Sequence, residues 1–93
     1  MATTEVTDHP ERHRFEITAD GELAGYAEYV LSEGNLELTH TVVDDAFEGK
    51  GVGGTLVKKA LDQARERGLT VTPTCPFVKS YIERHPDYAD LVA

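Results

Sequence analysis

The sequence has little of what several protein classes require. Its 93 residues contain one cysteine, Cys75, so no internal disulfide framework can form, and the solitary thiol fits a reducing compartment. Basic residues are scarce: nine Lys and Arg stand against seventeen Asp and Glu, a formal net charge of −8. Nonspecific binding to nucleic acid or to an anionic membrane needs the opposite sign, so neither partner is expected. No apolar run approaches the ~18 residues that mark a membrane-spanning helix. The opening stretch MATTEVTDHPERHR lacks a basic start followed by an apolar segment, so no secretory signal is expected and a cytoplasmic setting is. His9 and His13 have no second cluster of complementary spacing, which leaves no expected metal site.

What remains is globular. Hydrophobic residues make up 40% of the chain, enough to exclude a disordered tail. The length predicts one domain over residues 1–93 with a thin core. Charge is unevenly spread. Residues 1–47 carry two basic and eleven acidic side chains, a net of −9, whereas residues 48–93 carry seven and six, a net of +1. An anion is better accommodated by the second half.

Residues 1–10 are polar, end at His9-Pro10 and read as a loose lead-in. Phe15, Ile17 and Ala19 then alternate with polar residues over 12–19, the period of a half-buried strand. Asp20-Gly21 signals a tight hairpin into a second strand over 22–31. After the turn Ser32–Asn35, a third strand places Leu36, Leu38, His40 and Val42 on one face. Beyond the glycine-rich stretch 49–54, Val52, Leu56, Val57, Ala60, Leu61 and Ala64 form one helical stripe. Gly68 stops that helix. A fourth strand covers 69–74, and a short helix runs from about Pro76 to His85, ended by Pro86. The expected class is α/β (α+β), order β-β-β-α-β-α. A three-stranded antiparallel meander is joined to a parallel third and fourth strand by a right-handed crossover.

The run Gly49-Lys50-Gly51-Val52-Gly53-Gly54, between a strand and a helix, brings bare amides to a helix N-terminus, where an anion is favoured. The spacing Gly49-x-Gly51-x-x-Gly54 formally fits a dinucleotide fingerprint, but no acidic residue occupies 69–74, where a ribose would be held. A Walker loop fails because Thr55, not Lys, follows Gly54. The pattern Gln/Arg-x-x-Gly-x-Gly is met at Gly51 and Gly53, with Glu48 in the first position. On spacing alone, anion binding and a turn for close helix packing both stand.

Cys75 precedes Pro76, a residue favoured at the first helical position, and so becomes the expected N-cap. A thiol there feels the positive end of the helix dipole and ionises more readily. An inert buried cysteine is the plain alternative. His40 is either a histidine satisfied on the sheet face or a general base, since imidazole titrates near neutrality. As the third and fourth strands are expected neighbours, Cys75 and His40 can meet.

Phe47-Glu-Gly-Lys-Gly-Val-Gly-Gly-Thr-Leu, after a strand ending His-Thr-Val-Val, resembles the acetyl-coenzyme-A loop of the GNAT N-acetyltransferase superfamily. Thr-Pro-Thr-Cys-Pro-Phe-Val-Lys-Ser-Tyr-Ile-Glu-Arg-His-Pro-Asp-Tyr resembles its small, single-domain, cysteine-containing branch. The likeness covers about residues 12–92, and the Cys-Pro-Phe segment is its most specific part. It implies that Gly49, Lys50, Gly51, Val52, Gly53, Gly54 and Thr55 cradle the pyrophosphate of acetyl-CoA. It further implies that the backbone of Thr41, Val42 and Val43 pairs with the pantetheine arm. Cys75 would then stand near the reactive end, and Tyr81 is the nearest candidate to protonate a leaving thiolate, with plain aromatic packing as the alternative.

Two departures accompany the likeness. Glu48 replaces the usual Gln or Arg at the start of the loop, and the helical pair and terminal strands that shape acceptor pockets in larger enzymes are missing. The resulting expectation is an acetyl-CoA-dependent transfer to a small amine or a protein lysine, direct or through Cys75, by a monomer or weak homodimer. A non-catalytic coenzyme A-binding or sensing module is the alternative, and a plain interaction domain is a third reading.

Overall fold

Alternating side chains lay out most of a sheet that the two amphipathic segments then cover. The structure, a computed structural model, describes residues 3–92. Five strands pair in chain order: β1 (Thr4–His9), β2 (Arg14–Ala19), β3 (Glu22–Ser32), β4 (Asn35–Val43) and β5 (Thr70–Pro73). The first four are mutually antiparallel, and β5 runs parallel to β4. The crossover helix α1 (Val52–Glu66) packs across the sheet, and α2 (Pro76–Arg84) lies against β4, β5 and α1.

The loose lead-in expected at residues 1–10 is not what forms. Thr4–His9 is an edge strand joined to β2 by one 3-10 turn, Pro10–Arg12, while Met1 and Ala2 lie outside the described residues. The order is therefore β-β-β-β-α-β-α, and the parallel pair is β4/β5. Periodicity missed β1 because Val6 is its only large apolar residue. Polar bonds anchor it instead. The Asp8 carboxylate accepts the Tyr29 hydroxyl at 2.6 Å and the Arg67 guanidinium at 2.8 Å.

The expected punctuation is in place. Asp20 and Gly21 both take positive φ, 50° and 85°, as a two-residue hairpin turn requires. The stripe Val52, Leu56, Val57, Ala60, Leu61, Ala64 is buried against the sheet. α1 ends in a Schellman arrangement, in which Gly68 N–H donates to the Arg65 carbonyl and Leu69 N–H to that of Ala64. After α2 a 3-10 stretch, Pro86–Leu91, folds Tyr88 and Leu91 back onto the core.

One irregularity decides the site. Glu28 pairs with His40 but Tyr29 pairs with Leu38, so Thr39 is an extra residue in β4. Such a bulge reverses the alternation beyond it. Leu36 and Leu38 face the core, but Thr41 and Val43 then take over that face, opposite Ala27 and Gly25. His40 and Val42 move to the other face, opposite Glu28 and Tyr26. The expectation that Leu36, Leu38, His40 and Val42 share a face is thus corrected.

The parallel ladder stops where β5 does. Its last pair is Leu38–Pro73, proline having no N–H to continue it. The Cys75 amide donates to the Leu38 carbonyl at 2.9 Å, and past that point α2 leads the chain away. Among the described residues, His40–Val43 pair only with β3, leaving one edge of β4 open.

Candidate functional site

After β4, a 3-10 turn over Asp45–Phe47 is capped by Asp44, whose carboxylate accepts the Ala46 amide at 2.9 Å. Gly49 and Gly51 follow with φ of 77° and 74°, the left-handed conformation that only glycine adopts cheaply. Gly51 is the N-cap of α1, and its carbonyl accepts both the Thr55 amide at 3.1 Å and the Thr55 hydroxyl at 3.0 Å. The amides of Val52, Gly53 and Gly54 precede the first intrahelical acceptor. Among the described residues they donate to no other backbone carbonyl.

A cavity of about 470 Å³ opens in front of this loop. Its walls are the loop and first helical turn, Phe47 and Glu48, Thr41 and Val43 of β4, and Phe77 of α2. The hollow therefore runs from the helix N-terminus to the open edge of β4. Of the residues expected in the cradle, Lys50 and Thr55 lie outside this lining. The Lys50 ammonium stands 6.0 Å from the centre of the Phe47 ring. Val42 is also elsewhere, bordering a cavity of about 100 Å³ beside Leu23 and Tyr26.

Cys75 is the N-cap of α2, as its place before Pro76 predicts, and is 5% exposed. Its sulfur lies 3.4 Å from the Thr41 hydroxyl. Burial is the largest single influence on this thiol and opposes ionisation. The Thr41 hydroxyl and the amides of Val78, Phe77 and Thr41 together outweigh it, holding the pKa below the ordinary thiol value. The sulfur makes no capping hydrogen bond, so the helix amides act as dipoles aimed at it. A depressed pKa adds folding stability only above the unfolded-state value, and that contribution is lost as pH falls through the folded value. Its effect at neutral pH is on reactivity. Thr41→Val is expected to move the midpoint of Cys75 alkylation, measured as rate against pH with iodoacetamide, upward toward an ordinary cysteine. An unmoved midpoint would remove the hydroxyl from this account.

A second cavity, of about 300 Å³, is lined by Thr39, His40, Thr41, Cys75, Pro76 and Phe77. The fold therefore brings His40 and Cys75 to one hollow, although the thiol's partner is Thr41. His40 itself is exposed, placed there by the bulge.

Tyr81 stands apart. Six residues past Cys75 it has turned about 240° around the helix, and it lines neither of these two cavities. Its ring stacks on His85 with centroids 4.0 Å apart, and it is 7% exposed. Burial raises its pKa, Asp62 of α1 adds to that effect, and Lys58 and Arg84 oppose it. It packs in the seam between the two helices. The residue that sequence reasoning passed over is Phe77, which lines both cavities and is 40% exposed. An aromatic placed two residues after the N-cap was the available signal.

Among the described residues, no group of three or more His, Cys, Asp or Glu side chains is placed to hold a metal. No helix there is long and apolar enough to cross a membrane.

Known proteins resemble this chain in sequence and in shape. Residues 14–91 match the family model described as GCN5-related N-acetyl-transferase. Protein NATD1 of Xenopus tropicalis is 37% identical over 59 residues, covering 63% of this chain and 53% of the relative. A streptothricin acetyltransferase of Streptomyces lavendulae is 44% identical over 54 residues, 56% of this chain and 29% of that enzyme. The chain thus spans about half the length of the NATD1 relative. A GCN5-like protein of Staphylococcus aureus, solved by NMR, superposes with a TM-score of 0.74 at 27% identity, covering 96% of this chain and 87% of the other. The ribosomal-protein-S18-alanine N-acetyltransferase of Escherichia coli shares the fold, with a TM-score of 0.68 at 15% identity over 91% of this chain and 76% of the enzyme. With its glycine loop at the head of the crossover helix and its β4 edge left open, the chain belongs to the GCN5-related N-acetyltransferase family.

Proposed function

We propose that this chain is an acetyl-CoA-dependent N-acetyltransferase acting on an amine. The observation that carries the reading is the 470 Å³ cavity, which joins three unpartnered helix-start amides to the open edge of β4. The amides of Val52, Gly53 and Gly54 suit the pyrophosphate, because their dipoles and that of α1 point at one place. The open strand edge at Thr41 and Val43 suits a chain that carries amides of its own, as pantetheine does.

When bound, acetyl-CoA supplies the acetyl group already activated as a thioester. The protein's part is to hold and orient it, with the backbone N–H of Val43 on the open edge of β4 polarising the carbonyl; Val42, registered with Tyr26 of β3, is not placed to do so. His40, on the rim of the second cavity, is the residue proposed to take the amine's proton on a ring nitrogen. Transfer proceeds directly or through the thiolate of Cys75, whose lowered pKa favours the nucleophilic form.

The acceptor is proposed to be cationic before it gives up its proton, such as a lysine or polyamine amine. Arg12 and Arg14, the only basic residues among 1–47, are both bonded to Glu16, at 3.0 and 2.7 Å. Glu28, opposite His40 in the register, has no salt-bridge partner among the described residues. The expected setting is cytoplasmic, with the chain acting as one domain.

Incubation with acetyl-CoA and a panel of amines should release free thiol fastest with cationic acceptors. Activity confined to neutral or anionic amines would contradict the charge argument. Intact mass after acetyl-CoA alone decides the route: no adduct, together with full activity in Cys75→Ala, removes the covalent path. A second reading, a coenzyme A-binding module without catalysis, is favoured by Glu48 in the cavity wall. Coenzyme binding without thiol release across the panel would select it. Because Glu48 is exposed and opposes a polyphosphate, Glu48→Gln is expected to tighten coenzyme A about two- to fivefold at low salt, the scale of an exposed charge pair. Calorimetric titration of both proteins checks this, and weaker binding by the variant would contradict it.

A further inference from the structure

Both helices cover the same face of the sheet. The buried side chains of α1 and α2 join Phe15, Ile17, Tyr29, Leu36 and Leu38 in one core. Neither helix covers the opposite face. There the cross-strand rows run His9–Arg14–Glu28–His40 and Thr7–Glu16–Tyr26–Val42, then Val30–Glu37–Thr72 past the bulge. An antiparallel sheet tolerates one wet face, and the side chains on it are free to serve a partner.

Charge divides this face. On β1 and β2 the acid is neutralised: Glu16 accepts Arg14 at 2.7 Å and Arg12 at 3.0 Å, and the Arg14 guanidinium lies 4.3 Å above the centre of the Tyr26 ring. On β3, β4 and β5 it is not. Those strands contain Glu22, Glu28 and Glu37 but no lysine or arginine. Among the described residues neither Glu28 nor Glu37 has a salt-bridge partner. Glu37 accepts the Thr74 hydroxyl, which brings no charge. Apolar groups alternate with these carboxylates, since Tyr26, Glu28 and Val30 follow one another along β3 at steps of about 7 Å. Val30 is 51% exposed, and Leu23, 46% exposed, borders the 100 Å³ hollow with Tyr26 and Val42. His40 connects this face to the reaction, sharing a row with Glu28 and lining the 300 Å³ hollow with Cys75.

We propose that the bare face of β3–β5 docks an extended polypeptide segment bearing lysine or arginine, and that a lysine of this segment is the acceptor. The inference rests on the acetyl-transfer reading above and deepens it by naming the acceptor as a polypeptide, not a free amine. Pockets that enclose small ligands run to ~300–1,000 Å³, and the hollow at Tyr26 falls short of that. The strip suits a chain instead. An extended segment repeats its side chains on one side every ~7 Å, so cations that meet Glu28 and Glu37 alternate with apolar groups that cover Val30 and enter the hollow. A lysine arriving at His40 has a flexible four-carbon stem to carry its amine past the imidazole into the 300 Å³ hollow.

The test begins without coenzyme. A pool of nonapeptides with a central lysine and randomised flanks is captured on the immobilised full chain and read by mass. Captured peptides are expected to be enriched about tenfold in Lys, Arg and aliphatic flanks over Asp and Glu, and the best of them to shift the NMR amide signals of Tyr26, Glu28, Val30 and Glu37. Glu37→Lys should weaken that peptide about tenfold, and Val30→Glu is the second variant should the first fail to fold. No enrichment, shifts confined to the helices, or affinity unchanged in a folded variant overturns the docking face. Shifts of the same amides on raising the chain's own concentration give the face to a second copy and also overturn it. With acetyl-CoA added, the best peptide is expected to exceed spermidine at least tenfold in kcat/KM. Acetylation of spermidine alone overturns the polypeptide acceptor and leaves the transfer reading standing. Peptide docking with no acetylation of either amine overturns the transfer reading, and the acceptor role with it, while the docking face stands.

Discussion

Gly54→Asp is expected to leave the fold intact and weaken coenzyme A binding by about two orders of magnitude. Gly54 is in the first turn of α1, three residues past the N-cap Gly51, and borders the large cavity. A Cβ there would meet only Cε2 of Tyr81, at an ordinary 3.8 Å. A carboxylate in the first turn of a helix interacts favourably with the macrodipole, so the melting temperature should hold or rise slightly. The same charge would occupy the ground proposed for the pyrophosphate, and like charges juxtaposed in an interface cost several kcal/mol, about 100-fold or more in affinity. Calorimetry alongside a thermal melt separates the effects. An unaltered affinity in a folded variant would place the phosphates away from this loop.

Gly25→Ala should act on the fold instead. A Cβ at Gly25 would stand 2.5 Å from the Val42 carbonyl oxygen and 3.3 Å from Cα of Val43, both backbone atoms of β4. No side chain can swing aside, so the strand itself must move. Overpacking of this kind costs about 3 kcal/mol, a large share of the ~5–15 kcal/mol that holds a small domain together. At about 4–8 °C per kcal/mol, the melting temperature should fall by roughly 12–24 °C. A melt within a few degrees of wild type would mean that β3 and β4 do not approach so closely. Since Val43 lines the large cavity, coenzyme binding should weaken in whatever fraction stays folded.

The legible parts of this fold are those where hydrophobic period and turn chemistry agree. The stripe of α1, the hairpin at Asp20-Gly21, the stop at Gly68 and the cap at Cys75-Pro76 each carry a local cause, and each is where it was expected. β1 was hidden because a strand with one large apolar residue, held by Asp8 to Tyr29 and Arg67, has no period to detect. The bulge at Thr39 was hidden for a related reason. An alternation read through it puts His40 beside Leu38, and only the pairing with β3 reveals the extra residue.

The site follows the same division. The glycine loop is written in one continuous run, so its position was plain. The meeting of Thr41, Cys75 and Phe77 depends on β5 ending at a proline and on α2 turning away, which are relations between distant segments. Nearness in sequence to Cys75 points to Tyr81, but helical rotation carries it to the α1 seam. The net charge of −8 also reads differently once placed. The excess lies in the first 47 residues, so an acidic chain can still present helix-start amides to a polyphosphate.

Coenzyme A binding at the loop ahead of α1 is the event on which every role proposed for this chain in acetyl transfer depends. Isothermal titration of the wild-type chain with coenzyme A should give a single site whose affinity falls as salt is raised, because the pyrophosphate supplies much of the attraction. No heat, together with no thermal shift at millimolar coenzyme A, would contradict it.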